Sequence, residues 1–183
     1  MMSNWRTEAD SIDRAVYAAV AAGDTPRLDV AMRGLSRAAD YSRLSLTSAA
    51  VLALGGGAPG RRAALAGLTS LGATSAAVNL LVKPVARRRR PERPDQPAKT
   101  VRPVKMPRSR SFPSGHTACA VAFASGAGRA MPAVSVPLHA VAALVGYSRI
   151  HTGVHYPGDV VAGAVIGAVV ADAIGAALAR RGA

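Results

Sequence analysis

The chain has 183 residues, half of them apolar, and carries 23 lysines and arginines against 10 acidic residues for a formal charge of +13. That length makes one domain with ample material to bury, and the charge points to an anionic partner: phosphate, anionic lipid or nucleic acid. The lone Cys119 excludes an internal disulfide and a cysteine metal cage.

The first 43 residues are thick with charge and hold no short apolar core behind basic residues, so no secretory signal peptide is expected. Residues 8–22 place Ile12, Ala15, Val16, Ala19 and Val20 on one face and stop at Gly23, which predicts an amphipathic helix. A second follows, capped by Asp24 or Thr25 with Pro26 in its first turn. It sets Leu28, Met32, Leu35 and Ala39 opposite Arg27, Asp29, Arg33, Arg37 and Asp40. Neither can cross a bilayer, and residues 1–43 are expected to lie on the membrane surface as an amino-terminal pair.

Residues 44–183 read as a membrane-embedded domain. Residues 44–59 form a short uncharged run ending near three glycines, and residues 63–82 are charge-free. The second run is long enough to cross, because roughly 20 residues at 1.5 Å each match the hydrocarbon core. Arg61 and Arg62 predict the turn between the two. Between residues 84 and 113 lies a basic, proline-rich loop with no sustained period, suited to set topology and to attract an anionic headgroup. Residues 114–128, 130–148 and 160–179 complete a count of about five spans. Arg129 and Asp172 each fall fifteen residues beyond a span start, at Ser114 and Pro157, so both sit about 22 Å from the same face and can pair. The last span also carries Gly163, Gly167, Ala171 and Gly175 at strict four-residue spacing. They form a smooth face for contact inside the bundle or with a second copy as a homo-oligomer.

Alternation of spans brings three polar clusters to one side: Lys83 with Arg90 and Pro91, then Pro113 to His116, then Ser148 to Asp159. Lys83, Arg90 and Arg149 supply three cations. The start of a span at Ser114 and Gly115 adds backbone N–H groups, a helix dipole and a hydroxyl, and all of these are phosphate ligands. Two histidines invite a division of labour in which one attacks phosphorus and the other protonates the leaving oxygen. Asp159, four residues after His155, reaches back across one turn if Pro157 opens the last span, holding one imidazole nitrogen and leaving the other free. His155 is therefore the better nucleophile, and His116, at a helix head, the better acid. His151 is placed at the site rim and His139 in the core of the fourth span.

In residue type and internal spacing these clusters resemble the three-part signature of the type 2 phosphatidic acid phosphatase superfamily, over a region of about residues 63–179. The resemblance implies an all-α, polytopic membrane helical bundle, phosphatidic acid phosphatase/vanadium haloperoxidase-like. It also implies a phosphatase that works through a phosphohistidine, without a metal or other cofactor. By that resemblance Lys83, Arg90, Ser114, Gly115 and Arg149 bind the phosphate, His116 is the acid, His155 the nucleophile and Asp159 its partner. Membrane members commonly have one span more; here the amphipathic helices stand in its place. Size, span pattern and an Ala/Arg-rich composition look most like the decaprenylphosphoryl-phosphoribose phosphatases of this superfamily, which act in cell-wall precursor synthesis. Undecaprenyl diphosphate, phosphatidylglycerophosphate and phosphatidate stand as alternative substrates.

Soluble acid phosphatases and vanadate-dependent haloperoxidases share the signature, but the uncharged run at 63–82 stands against both. A basic membrane protein docking nucleic acid or anionic lipid through residues 87–110 is the non-enzymatic alternative. It has no need of His116, His155 and Asp159, so the expected partners are a lipid phosphate and the membrane rather than nucleic acid. The positive-inside tendency puts the site on the cytoplasmic side of the inner (plasma) membrane.

Overall fold

The computed structural model describes residues 5–86, 88–92 and 104–181, and every regular element among them is helical. Part of the expected basic loop, residues 87 and 93–103, therefore lies outside the described residues.

Helix α1, Trp5–Ala22, and helix α2, Pro26–Ala38, form where the periodicity predicts, with Pro26 opening the second. The face of α1 differs from the expectation, whereas α2 buries Met32 and Ala39 of its expected face and adds Asp29 and Ser36. Inward-turned residues include Asp13, Asp29, Met32 and Ser36, whereas Ile12, Val16, Leu28 and Val30 are exposed. A hydrophobic pattern assumes that what a helix covers is apolar, and these two cover the polar end of a bundle. Asp13 accepts from the Gly158 amide at 2.7 Å, Asp29 from His151 Nε2 at 2.8 Å, and the Ser36 carbonyl from Arg149 at 2.9 Å. Thr25 does not cap α2, since its hydroxyl donates to Asp29 at 3.0 Å.

A single 3₁₀ turn, Asp40–Ser42, leads into α3, Arg43–Gly55. The next helix, α4, spans Gly57–Ala76, and the reversal between them lies at Gly56 and Gly57. Arg61 and Arg62, expected at the turn, sit inside α4. Glycine decides the place: Gly57 has φ +60°, and a Cβ on Gly60 would meet the Leu52 carbonyl oxygen at 2.1 Å. The rod continues through a π-type turn, Ala77–Val82, into the short α5, Lys83–Val85.

Helix α6, Gly115–Ala130, is the centre around which α4, α7 (Ser135–His151) and α8 (Pro157–Arg181) pack. It buries Ala118, Ala122, Phe123, Ala124 and Ala127. Small residues let the axes approach. A Cβ on Gly163 would lie 2.5 Å from the Ser114 carbonyl oxygen, and one on Gly167 only 2.2 Å from that of Ala118. The Gly163 and Gly167 part of the four-residue face is thus packed against α6 of the same chain. Val161, Val165 and Val169 occupy the opposite, exposed side of α8. Gly167→Leu is expected to destabilise the bundle by about 3 kcal/mol, the upper end for overpacking. Val165→Leu is expected to be neutral. Thermal unfolding of both proteins in detergent checks this.

Three helical stretches are long and apolar enough to cross a membrane: Gly57–Val85, Pro132–His151 and Pro157–Arg180. Two elements in the count of five, α3 and α6, have 13 and 16 residues, fewer than the roughly 20 that a bilayer core requires. Arg129 and Asp172 form the ion pair that their equal depth predicted. His139 is hydrogen-bonded, with Nδ1 2.8 Å from the Ser135 carbonyl oxygen, but it lies on an exposed face rather than in the core.

Candidate active site

The turn from α7 to α8 builds one half of the site. The carbonyl of Arg149 accepts from the amides of Val154 and His155 at 3.1 and 3.2 Å, and Pro157 starts α8 so that Asp159 falls in its first turn. His155 is 2% exposed. Its Nδ1 stands 3.4 Å from Asp159 Oδ2, close enough to pair electrostatically without hydrogen-bond alignment. Its Nε2 lies 3.2 Å from Arg90 Nη1. A guanidinium nitrogen can only donate, so Nε2 carries the lone pair and the ring proton resides on Nδ1, facing the carboxylate. Burial, then the neighbouring Arg90 and Arg149 charges, hold the pKa of His155 below its ordinary value against the opposing pull of Asp159.

Asp159 is fully buried and multiply held. It accepts from Ser111 Oγ at 2.5 Å, from the Tyr156 amide at 2.9 Å and from Arg88 Nη1 at 3.0 Å. Its backbone carbonyl accepts from the Ser114 amide at 2.9 Å, which ties the heads of α6 and α8 together.

The head of α6 makes the second half. Ser114 is the N-cap, as its position predicts. Its hydroxyl oxygen accepts from the Thr117 amide at 3.5 Å and lies 2.9 Å from the Thr117 hydroxyl. What remains at the head are the amides of Gly115 and His116, which have no partner within the helix. The π-type turn redirects the chain just before Lys83, whose Nζ would lie 3.5 Å from a Cβ on Gly115. Arg90 is fixed by the carbonyls of Val154, Ser109 and Arg110 at 2.7, 2.9 and 3.2 Å.

Arg149 joins the two halves. Its side chain is buried, Nη1 donates to Ser36 O and Oγ at 2.9 and 2.6 Å, and Nη2 lies 3.0 and 2.8 Å from the two ring nitrogens of His116. Asp40 Oδ1 is 3.1 Å from His116 Nε2 and 3.3 Å from Arg149 Nη2. His116 lies in the first turn of α6, outside the three membrane-length stretches. Burial, and next the Arg149 charge, push its pKa down to about 3.

All eight residues expected at the site, Lys83, Arg90, Ser114, Gly115, His116, Arg149, His155 and Asp159, thus gather at one end of the bundle. His151, placed at the rim from sequence, does not join them. It is 4% exposed and bonded to Asp29, where it fastens α2 to α7. Sequence reading missed Ser36, Asp40, Arg88 and Ser111. Arg88 had a signal: burial alternates at residues 88, 89 and 90 of an extended segment, so Arg88 faces inward beside Arg90. Ser36 had none, because its partner Arg149 is 113 residues away. Beside His116 and Arg149 opens a cleft of about 520 Å³ lined also by Arg37, Asp40, Lys105 and Arg108.

Residues 63–181 match the PAP2 superfamily. The decaprenylphosphoryl-5-phosphoribose phosphatase of Mycobacterium tuberculosis (strain ATCC 25618 / H37Rv) is 42% identical over 98 residues, 51% of this chain and 50% of that protein, so this match spans half that relative's length. The protein of the same name from Mycolicibacterium smegmatis is 37% identical over 166 residues, 88% of this chain and 84% of that one. In fold the chain is similar to the crystal structure of a transmembrane PAP2-type phosphatidylglycerolphosphate phosphatase from Bacillus subtilis, with a TM-score of 0.70 and 24% identity over 98% of this chain and 89% of that one. With the family match covering most of the chain and the three polar clusters meeting at one end of a helical bundle, the chain belongs to the PAP2 superfamily.

Proposed function

We propose that this chain is an integral membrane lipid phosphatase that hydrolyses a phosphomonoester through a phosphohistidine on His155. The observation that carries the proposal is the placement of His155, with Nε2 3.2 Å from Arg90 and Nδ1 3.4 Å from Asp159, at the end of the bundle where His116 meets Arg149. Lys83, Arg90 and Arg149, with the first amides of α6, neutralise the phosphate and aim phosphorus at Nε2. Arg149 Nε, a buried donor without a partner among the described residues, fits a phosphate oxygen. Nε2 bonds to phosphorus as the bond to the leaving oxygen breaks, and His116 gives that oxygen a proton. Water then attacks the phosphohistidine, His116 takes the water's proton, and phosphate departs. Because His116 is neutral in the empty site, its proton arrives with the substrate, whose phosphate supplies the countercharge that sustains the imidazolium. The three cations provide the charge stabilisation that metal phosphatases take from an ion, so no metal or other cofactor enters the proposal.

We infer further that the leaving group carries a second phosphoryl group. Arg37, Lys105 and Arg108 line the cleft next to His116, on the side the leaving group must occupy. A polyprenyl-phosphoryl-phosphoribose of cell-wall precursor synthesis has that chemistry, and the name of the Mycolicibacterium smegmatis relative supports it. The three apolar stretches and the positive-inside tendency favour a site facing the cytoplasm from the plasma membrane.

The test is phosphate release by purified protein in detergent with EDTA, from decaprenylphosphoryl-5-phosphoribose, phosphatidylglycerophosphate, phosphatidate and undecaprenyl diphosphate. The first is expected to be hydrolysed fastest, with activity retained in EDTA. Complete loss in EDTA would overturn the metal-free mechanism, and an equal rate on phosphatidate would overturn the second-phosphoryl reading. Since neutral His155 is the reactive form and its pKa is lowered, kcat/KM should hold through pH 6.5 and fall only below it, once the substrate's own ionisation is corrected for.

A further inference from the structure

The amino-terminal segment, which lies outside the matched family region, places one carboxylate against His116 and Arg149. Asp40 Oδ1 stands 3.1 Å from His116 Nε2 and 3.3 Å from Arg149 Nη2. Tyr41 and Ser42, the two residues that follow it, hold left-handed backbone at φ 58° and 56°. Non-glycine residues rarely adopt that conformation, and it persists where surrounding structure imposes it.

We propose that Asp40 is a positioning residue for the general acid, fixing the tautomer of His116 so that Nδ1 carries the proton given to the leaving oxygen. The proposal rests on the acid role of His116 argued above. A carboxylate accepts, so the Nε2 facing Asp40 bears a hydrogen. Arg149 Nη2 lies 2.8 Å from Nε2 and 3.0 Å from Nδ1, and once Nε2–H is given to Asp40 only Nδ1 offers that donor a lone pair. When the substrate phosphate arrives, Arg149 turns its donor to a phosphate oxygen and Nδ1 is released to hold the reacting proton. That proton passes to the leaving oxygen as its bond to phosphorus breaks, and His116 returns to the neutral ring with Nε2–H still on Asp40. The arrangement is the counterpart of the nucleophile's, where Nδ1 faces Asp159 and Nε2 reacts. The site thus contains two His–Asp pairs that expose opposite ring nitrogens.

Charges around His116 come from several elements. Arg149 on α7 and His155 beyond it disfavour the imidazolium, and Asp40 favours it. Arg37 on α2 and Lys105 and Arg108 of the loop line the same cleft. Asp40→Asn removes the favourable charge and keeps the shape. With a lipid phosphomonoester, kcat is expected to fall about 10²-fold, KM to stay unchanged, and the alkaline limb of the kcat profile to move to lower pH. With p-nitrophenyl phosphate, whose leaving anion needs no proton, the same variant should lose little. Asp40→Glu should recover most of the rate, and in a His116→Ala background Asp40→Asn should cost nothing further.

An equal loss on both leaving groups would make Asp40 structural and overturn the proposal. So would a lower KM with unchanged kcat, the mark of a carboxylate that merely competes with phosphate for Arg149. If Asp40→Asn fails to fold, the Asp40→Glu protein decides alone, and a folded Asp40→Glu protein lacking the wild-type alkaline limb overturns it. A His116→Ala protein that kept the wild-type rate on the lipid would instead remove the acid assignment itself.

Discussion

A His155→Ala protein is expected to lose phosphate release by about 10⁴-fold or more, as enzymes do when a covalent nucleophile is removed. The ring is enclosed, 2% exposed, and its Nδ1 faces a carboxylate whose every neighbour is a donor. No other imidazole is placed to take over: His116 is committed to Asp40 and Arg149, His151 to Asp29. Brief mixing of wild-type protein with substrate labelled on the phosphate should leave acid-labile label on the protein, and the variant should retain none. Wild-type label that survives acid, or a variant that still turns over at the native rate, would rule out a phosphohistidine on this residue.

Arg149→Lys should cost about 10²- to 10³-fold in kcat/KM, comparable with deleting a preorganised donor from an oxyanion site. The exchange keeps the charge but loses the fork. One guanidinium nitrogen holds Ser36 O and Oγ while the other reaches His116 and Asp40, and a single ammonium on a flexible stem cannot span both sets. Because Ser36 belongs to α2, the variant should also loosen the amino-terminal helices, read as a lower Tm and faster proteolysis within residues 5–38. Unchanged kinetics would show that charge alone suffices here.

The polar cluster at the turn from α7 to α8 was legible because its members are close in sequence. Arg149, His155 and Asp159 occupy one helix end, one turn and the next helix start, where i,i+4 spacing and a proline fix the geometry without help from elsewhere. The Arg129–Asp172 pair was legible for a related reason, since helix rise converts residue counts into depth. The small-residue face of α8 was legible as a contact surface, yet its partner was not, because spacing records how smooth a face is and not what covers it.

Other features needed the whole fold. The reversal at Gly56 and Gly57 displaced the turn expected at Arg61 and Arg62, since close backbone approach at Gly60 outweighs a pair of charges. The face of α1 was inverted relative to its hydrophobic pattern, and α2 turned Asp29 and Ser36 inward beside the expected Met32 and Ala39, because both helices cover hydrogen-bonding groups.

By itself, then, the sequence determined the helical class, the three apolar stretches, and the local order of the polar residues that gather at one end of the bundle, all of which follow from periodicity and short spacings. Only the tertiary structure decided which side chains hold those residues in place: Ser36 and Asp40 on Arg149 and His116, Arg88 and Ser111 on Asp159. Contacts spanning from 48 to 113 residues of chain leave no periodic trace, because they form only after the helices have packed.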